Sequence, residues 1–150
     1  MTMIRKGHQK PYTPRSDLAS CIAELEKVIC YLRDCHLPLN SKKRMLNHVI
    51  WEITIVKGNY YPEFRSDGVL KGEIGTKIQR EHVFKRKKIV ADILSSTGNI
   101  SSIIDSIVHC VVTKTEHEKL KNDHSLDGWD RYPKAGIEVY RFNKDKPVKC

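Results

Sequence analysis

Apolar residues recur at spacings of three and four from Leu18 to Leu32, through Ile22, Leu25, Val28 and Ile29. That period belongs to an amphipathic helix, predicted over residues 16–36 with Ser16 as N-cap. Leu37-Pro38-Leu39-Asn40 interrupts the pattern. Met45, Val49, Ile50, Ile53 and Val56 then share one face of a second helix, predicted over residues 41–56 and stopped by Gly58. Two helices joined by so short a link fold back as an antiparallel hairpin.

The pattern changes after residue 58. Gly58, Pro62, Gly68, Gly72 and Gly75 punctuate a segment holding Tyr60, Tyr61 and Phe64, which reads as loop with short strands around residues 69–74. Residues 78–84 read as a short strand or a tight connection, and Ile89, Val90, Ile93 and Leu94 set a helix over 87–95, stopped by Gly98. Asn99 or Ser101 caps a further helix through Val108. His109-Cys110-Val111-Val112 is β-branched enough to be a strand. Thr113-Lys114-Thr115-Glu116 is a capping box that opens a helix ending near Asn122. Asp127-Gly128 marks a turn, Trp129, Tyr132 and Tyr140 an aromatic cluster, and residues 137–140 a closing strand. The expected fold is therefore α+β and mostly helical, with an N-terminal helical hairpin packed on a small mixed strand and helix C-terminal part. Residues 1–15 form a flexible basic arm in this reading, 16–140 a single globular domain, and 141–150 a loose basic tail.

Charge adds a functional direction. The chain of 150 residues carries 27 Lys and Arg against 18 Asp and Glu, a net charge of +9. Such an excess attracts polyanions, nucleic acid first among them, although it also serves plain solubility. The charge is clustered: Arg5, Lys6, Lys10 and Arg15 stand without an acid, and Lys77, Arg80, Lys85, Arg86, Lys87 and Lys88 surround Glu81 alone. No apolar stretch approaches the ~20 residues of a membrane span, so no membrane partner is expected. The first ten residues lack the apolar core of a secretory signal. Five cysteines without a Cys-x-x-Cys pair argue against a zinc knuckle and point to free thiols in a reducing cytoplasm.

The sharpest chemical feature is Arg80-Glu81-His82-Val83, followed by Phe84 and Lys85-Arg86-Lys87-Lys88. An imidazole can take a proton from an attacking water, and an adjacent carboxylate can hold a divalent ion that neutralises a scissile phosphate. The run of cations from Arg80 through Lys88 would hold backbone phosphates. Taken alone, the dipeptide reads more simply as a half-buried strand histidine paired with Glu81 or a neighbour. His117 lies one turn into the capped helix, where it is either a ligand near His82 or an ordinary solvent-facing histidine.

Glu81-His82-Val83, then Gly98-Asn99-Ile100, then a histidine at His109 or His117, resembles the HNH (His-Me finger) endonuclease pattern over about residues 78–121. The resemblance implies a ββα unit and a metal-dependent cleavage of phosphodiester bonds. His82 would be the general base, Asn99 the residue orienting it, and Glu81 with His117 or His109 the ligands of Mg²⁺ or a similar ion. The substrate would be DNA or RNA, and a monomer and a homodimer stay equally open. The spacing from Asn99 to His117 is longer than the family's usual one, and His109 precedes a strand rather than sitting in a helix.

Two other readings use the same residues differently. A metal-free ribonuclease would employ His82 with Arg86 or Lys88 and Thr113 on the RNA 2′-hydroxyl. A non-enzymatic nucleic-acid-binding or inhibitor module would use Asn47, His48, Trp51 and Glu52 with the loop Asn59-Tyr60-Tyr61-Pro62, stacking bases beside Arg65. Trp51 is also a natural core residue, Asp130 and Arg131 are natural surface ions, and Cys110, near His109 and His82, reads as a buried, inert thiol rather than a nucleophile.

Overall fold

Helix α1, Leu18–Asp34, and helix α2, Leu39–Val56, form the expected hairpin in the computed structural model, which describes residues 2–123, 125–143 and 146–150. Pro38 stands at the N-cap of α2, where its fixed φ and missing N–H do no harm, so the helix opens at Leu39, slightly earlier than predicted. Ile29 and Leu32 of α1 meet Leu46, Ile50 and Ile53 of α2. The short strand β1, Phe64–Ser66, the turn of helix α3, Asp67–Leu70, and strand β2, Ile78–His82, follow. Helix α4, Arg86–Ser95, and the short α5, Ser101–Asp105, cover the hairpin with Ile89, Val90, Ile93 and Ile104, closing a core of branched aliphatics.

Strand β3, His109–Thr113, is buried at every position and leads straight into helix α6, Lys114–Asn122. The short α7, Arg131–Lys134, precedes strands β4, Val139–Asn143, and β5, Lys146–Lys149. The sheet order is β2-β3-β1-β4-β5, with β1 and β3 parallel and the other neighbours antiparallel. Alternation along β3 splits the sheet's two faces. Val111 packs with Ile4, Val69 and Ile78, while Cys110 and Val112 pack with Leu120, Tyr132 and Val139. The fold is α+β, as the pattern predicts.

Several elements differ from the sequence expectation, each for a local reason. The strand expected around 69–74 is absent; β1 lies earlier, at 64–66, and α3 takes residues 67–70 with Ser66 accepting the Val69 N–H. Three residues are too few to show a period. Helix α5 stops at Asp105 rather than Val108. The segment 1–15 is docked over its first part: Ile4 is 1% exposed, its N–H donates to the Thr76 carbonyl at 2.7 Å, and Met3 bridges Lys77. His8 is buried and stacks on Tyr61 at 4.4 Å. A single isoleucine among cations carries no periodicity that could announce this. The segment read as a loose tail contains β5, which pairs with β4 although every residue of it is exposed. An edge strand with no buried face lacks the alternation by which strands are recognised.

Candidate functional site

Strand β2 is one of the two edge strands of the sheet, and successive side chains along it point to opposite faces. Arg80 and His82 turn toward α2, Gln79 and Glu81 toward α6 and α7. A cavity of about 330 Å³ wraps this edge and brings both sets together, with Trp51, Lys85 and Arg86 on one flank and His117 and Arg131 on the other.

On the α6 side the arrangement is a chain of charge-assisted hydrogen bonds. His117 Nδ1 donates to Glu81 Oε2 at 2.6 Å, and Arg131 Nη2 donates to Glu81 Oε1 at 2.7 Å. A carboxylate accepts only, so the His117 proton sits on Nδ1 and its Nε2 is the ring nitrogen not bound to Glu81. The second Arg131 nitrogen, Nη1, donates to the carbonyls of His82 and Val83, both at 3.2 Å. Arg131 is 7% exposed, so Glu81 is gripped by a buried, fixed cation while the His117 ring keeps access to the cavity. The helix that carries His117 is pinned at its start. Thr113 Oγ1 accepts the Glu116 N–H at 3.2 Å, Glu116 Oε2 accepts the Thr113 N–H at 2.8 Å, and Ser66 Oγ donates to that same carboxylate oxygen at 2.6 Å.

On the α2 side His82 is held differently. Its Nε2 lies 2.8 Å from Thr54 Oγ1, and the Thr54 hydroxyl donates to the Ile50 carbonyl at 3.0 Å. The one hydroxyl proton being used there, the imidazole must donate, which puts its proton on Nε2. The ring meets Trp51 edge-on at 4.7 Å. Burial lowers its pKa to about 3, and the nearby Arg86, His109 and Arg80 push in the same direction. His82 is thus a neutral hydrogen-bond donor wedged between sheet and helix.

The guanidiniums are layered on aromatic rings. Arg80 lies over Trp51 at 4.4 Å and over Tyr60 at 4.7 Å, and Arg86 lies over Trp51 at 4.7 Å. Arg80 Nη1 also donates to Asn59 Oδ1 at 2.7 Å. Trp51 is therefore a platform for two cations, and Arg65, expected beside the aromatics, is buried elsewhere. Its guanidinium donates to the Pro62, His8 and Lys10 carbonyls, and desolvation lowers its pKa to about 10.

The other predicted site residues separate. Asn99 is exposed in the link before α5 and accepts the Ser101 N–H at 2.7 Å, so it caps a turn, while Thr54 orients His82. His109 turns its Nε2 to the Asn59 carbonyl at 2.8 Å and is neutral, its pKa lowered to about 4 by burial. The basic run also divides. Lys85 and Arg86 line the cavity, Lys87 lines a neighbouring groove, and Lys88 pairs with Asp92 at 2.8 Å. Cys110 is fully buried and its thiol pKa is raised well above the ordinary value by that burial, so it has no thiolate to offer. Arg131, read as a surface ion, is the buried partner of Glu81; no local pattern distinguishes it, because its partner lies fifty residues away in the chain. The ββα order implied by the HNH resemblance is present as β2, β3 and α6, with α4 and α5 inserted between the two strands.

Mg²⁺ favours several oxygen ligands. Here a single carboxylate, Glu81, stands among Arg80, Lys85, Arg86 and Arg131, and both its oxygens are already engaged by cationic or imidazole donors. Among the described residues no group of three or more His, Cys, Asp or Glu is placed to hold a metal ion, and His109 turns away from Glu81 and His117. The donor set does not fit a divalent ion. Comparison of the chain with family models, with curated proteins and with solved structures gives no match in any of the three. No helix among the described residues is long and apolar enough to cross a membrane.

Proposed function

We propose that the protein acts on nucleic acid by cleaving phosphodiester bonds in the cavity around Glu81 and His117, with RNA as substrate. The observation that carries this reading is the Arg131–Glu81–His117 chain opening onto a cavity lined by Arg80, Lys85 and Arg86. A histidine oriented through Nδ1 by a carboxylate presents Nε2 for proton transfer, and arginines fixed on aromatic rings stabilise charge that grows on phosphate oxygens. RNA supplies its own nucleophile, so a site with one carboxylate–histidine pair and no hard-ion donor set suits it better than DNA.

In this reading His117 Nε2 takes the proton of the 2′-hydroxyl, and the 2′ oxygen forms its bond to phosphorus. The bond from phosphorus to the 5′ oxygen breaks, leaving a 2′,3′-cyclic phosphate; the departing 5′ oxygen takes a proton from water, and the hydroxide so formed takes back the proton held on His117 Nε2. Arg80 and Arg86 hold the phosphate oxygens. Glu81 is a positioning residue, and Arg131 in turn fixes Glu81. His82, expected as the general base, instead supports the wall of the cavity through Thr54 and Trp51.

A second reading rests on the same chain seen as a staple. Arg131 ties α7 to the end of β2 through Glu81, His82 and the following Val83, and the basic cavity then binds a polyanion without cutting it. The test is cleavage of labelled RNA, single-stranded DNA and duplex DNA by the native chain and by Glu81→Gln, each in EDTA and in Mg²⁺. RNA cleavage in EDTA that falls in the variant supports the proposal. Cleavage confined to Mg²⁺ transfers support to the metal-dependent endonuclease, and binding with no cleavage in either medium transfers it to the binding module.

A further inference from the structure

A second basic concavity lies beside the first. A groove of about 310 Å³ runs between α2 and α4, lined by Lys43, Asn47, Arg86 and Lys87 over a floor of Val90 and Ala91. Arg86 lines both spaces, so groove and cavity adjoin at its side chain. On α2 the residues Lys43, Asn47 and Trp51 follow at intervals of four and share one face, about 6 Å apart per interval. The face therefore offers a cation, an amide and an arginine-covered indole along a path of ~12 Å leading to the cavity. Lys43 and Lys87 are exposed and form no ion pair among the described residues, unlike Lys88 on the same helix. Cations that no acid neutralises, set in a groove beside a cavity for a reacting phosphate, are placed to hold the phosphates that flank it.

We infer that the α2–α4 groove is the seat of the single-stranded RNA chain beside the cleaved bond, with Lys43 and Lys87 on its phosphates and Asn47 donating to a phosphate or sugar oxygen. The inference rests on the proposed RNA-cleaving role of the neighbouring cavity. It deepens that role, because the substrate becomes a polynucleotide of several residues rather than a mononucleotide or a dinucleotide. The groove contacts only backbone, so it adds affinity without base preference.

The test compares the native chain with Lys43→Gln/Lys87→Gln in two assays. Fluorescence anisotropy with a labelled single-stranded RNA 12-mer reads binding. Both changes are at exposed positions, and an unchanged melting temperature establishes that the variant is folded. The expected result is about tenfold weaker binding, with the slope of log K against log salt shallower by about 1.4, two contacts at roughly 0.7 each. The second assay is cleavage, in which kcat/KM falls for the 12-mer and stays unchanged for a dinucleotide. Equal 12-mer affinity and equal salt slope for variant and native chain would overturn the inference. Loss of binding in the variant while neither protein cleaves would uphold the groove and refute the cleavage role, so the two failures read differently.

Discussion

Glu81 and His82 are neighbours in the chain, yet they stand on opposite faces of one edge strand and meet opposite treatment. Glu81 is met by an imidazole donor from α6 and a guanidinium donor from α7, and the imidazole it holds, His117, keeps access to the cavity. His82 is driven against α2, where burial and surrounding cations keep it neutral and Thr54 Oγ1 accepts the hydrogen bond from its one ring N–H. A histidine beside an acid in sequence is thus not the histidine that the acid serves in space. The strand's two-residue period separates the dipeptide, and a helix arriving thirty-odd residues later supplies the imidazole that pairs with the carboxylate.

His117→Ala should lower RNA cleavage by about 10²–10⁴-fold, the range for loss of a proton-transfer group, whereas His82→Gln should keep cleavage within about threefold and appear instead as lost stability. Glu81→Ala should destabilise the fold by roughly 3–5 kcal/mol, because it leaves the buried Arg131 without its anion. Chemical denaturation of that variant checks this.

The acid response comes next. His82 and His109 have native pKa values lowered to about 3 and about 4 from 6.5. The unfolded chain therefore binds more protons below pH 6.5, so their contribution is complete above that pH and is lost as pH falls toward 3. Each tenfold difference in proton affinity is worth about 1.4 kcal/mol, so urea midpoints should fall steeply between pH 6.5 and 4. In His82→Gln that slope should flatten. The smallest expected effect is Thr54→Val, which removes the hydroxyl partner of His82 and should cost about 1–2 kcal/mol without altering cleavage.

The helical half of the molecule is legible in the sequence because its signal is periodic. Ile50, Ile53 and Val56 announce α2 by spacing alone, and the Thr113–Glu116 box announces α6. The site is legible only in part, for the reason that hides β1 and β5. Glu81 and the cationic run stand out as chemistry in a local window, and His117 sits on a helix whose start can be read. Their pairing across β2 is a matter of register: β2 and β3 pair so that Glu81 faces Cys110, and the helix following β3 then carries His117 back over Glu81. Arg131 and Thr54 give no local sign, since each acquires its role only from a partner distant in the chain. The same holds for Arg80, whose layering on Trp51 and Tyr60 depends on how α2 ends.

The most direct measurement is cleavage of a labelled single-stranded RNA in EDTA by the native chain, His117→Ala and His82→Gln side by side. Activity is expected in the native chain and in His82→Gln, with loss confined to His117→Ala. Loss in His82→Gln with activity retained in His117→Ala would contradict this and return the general base to His82.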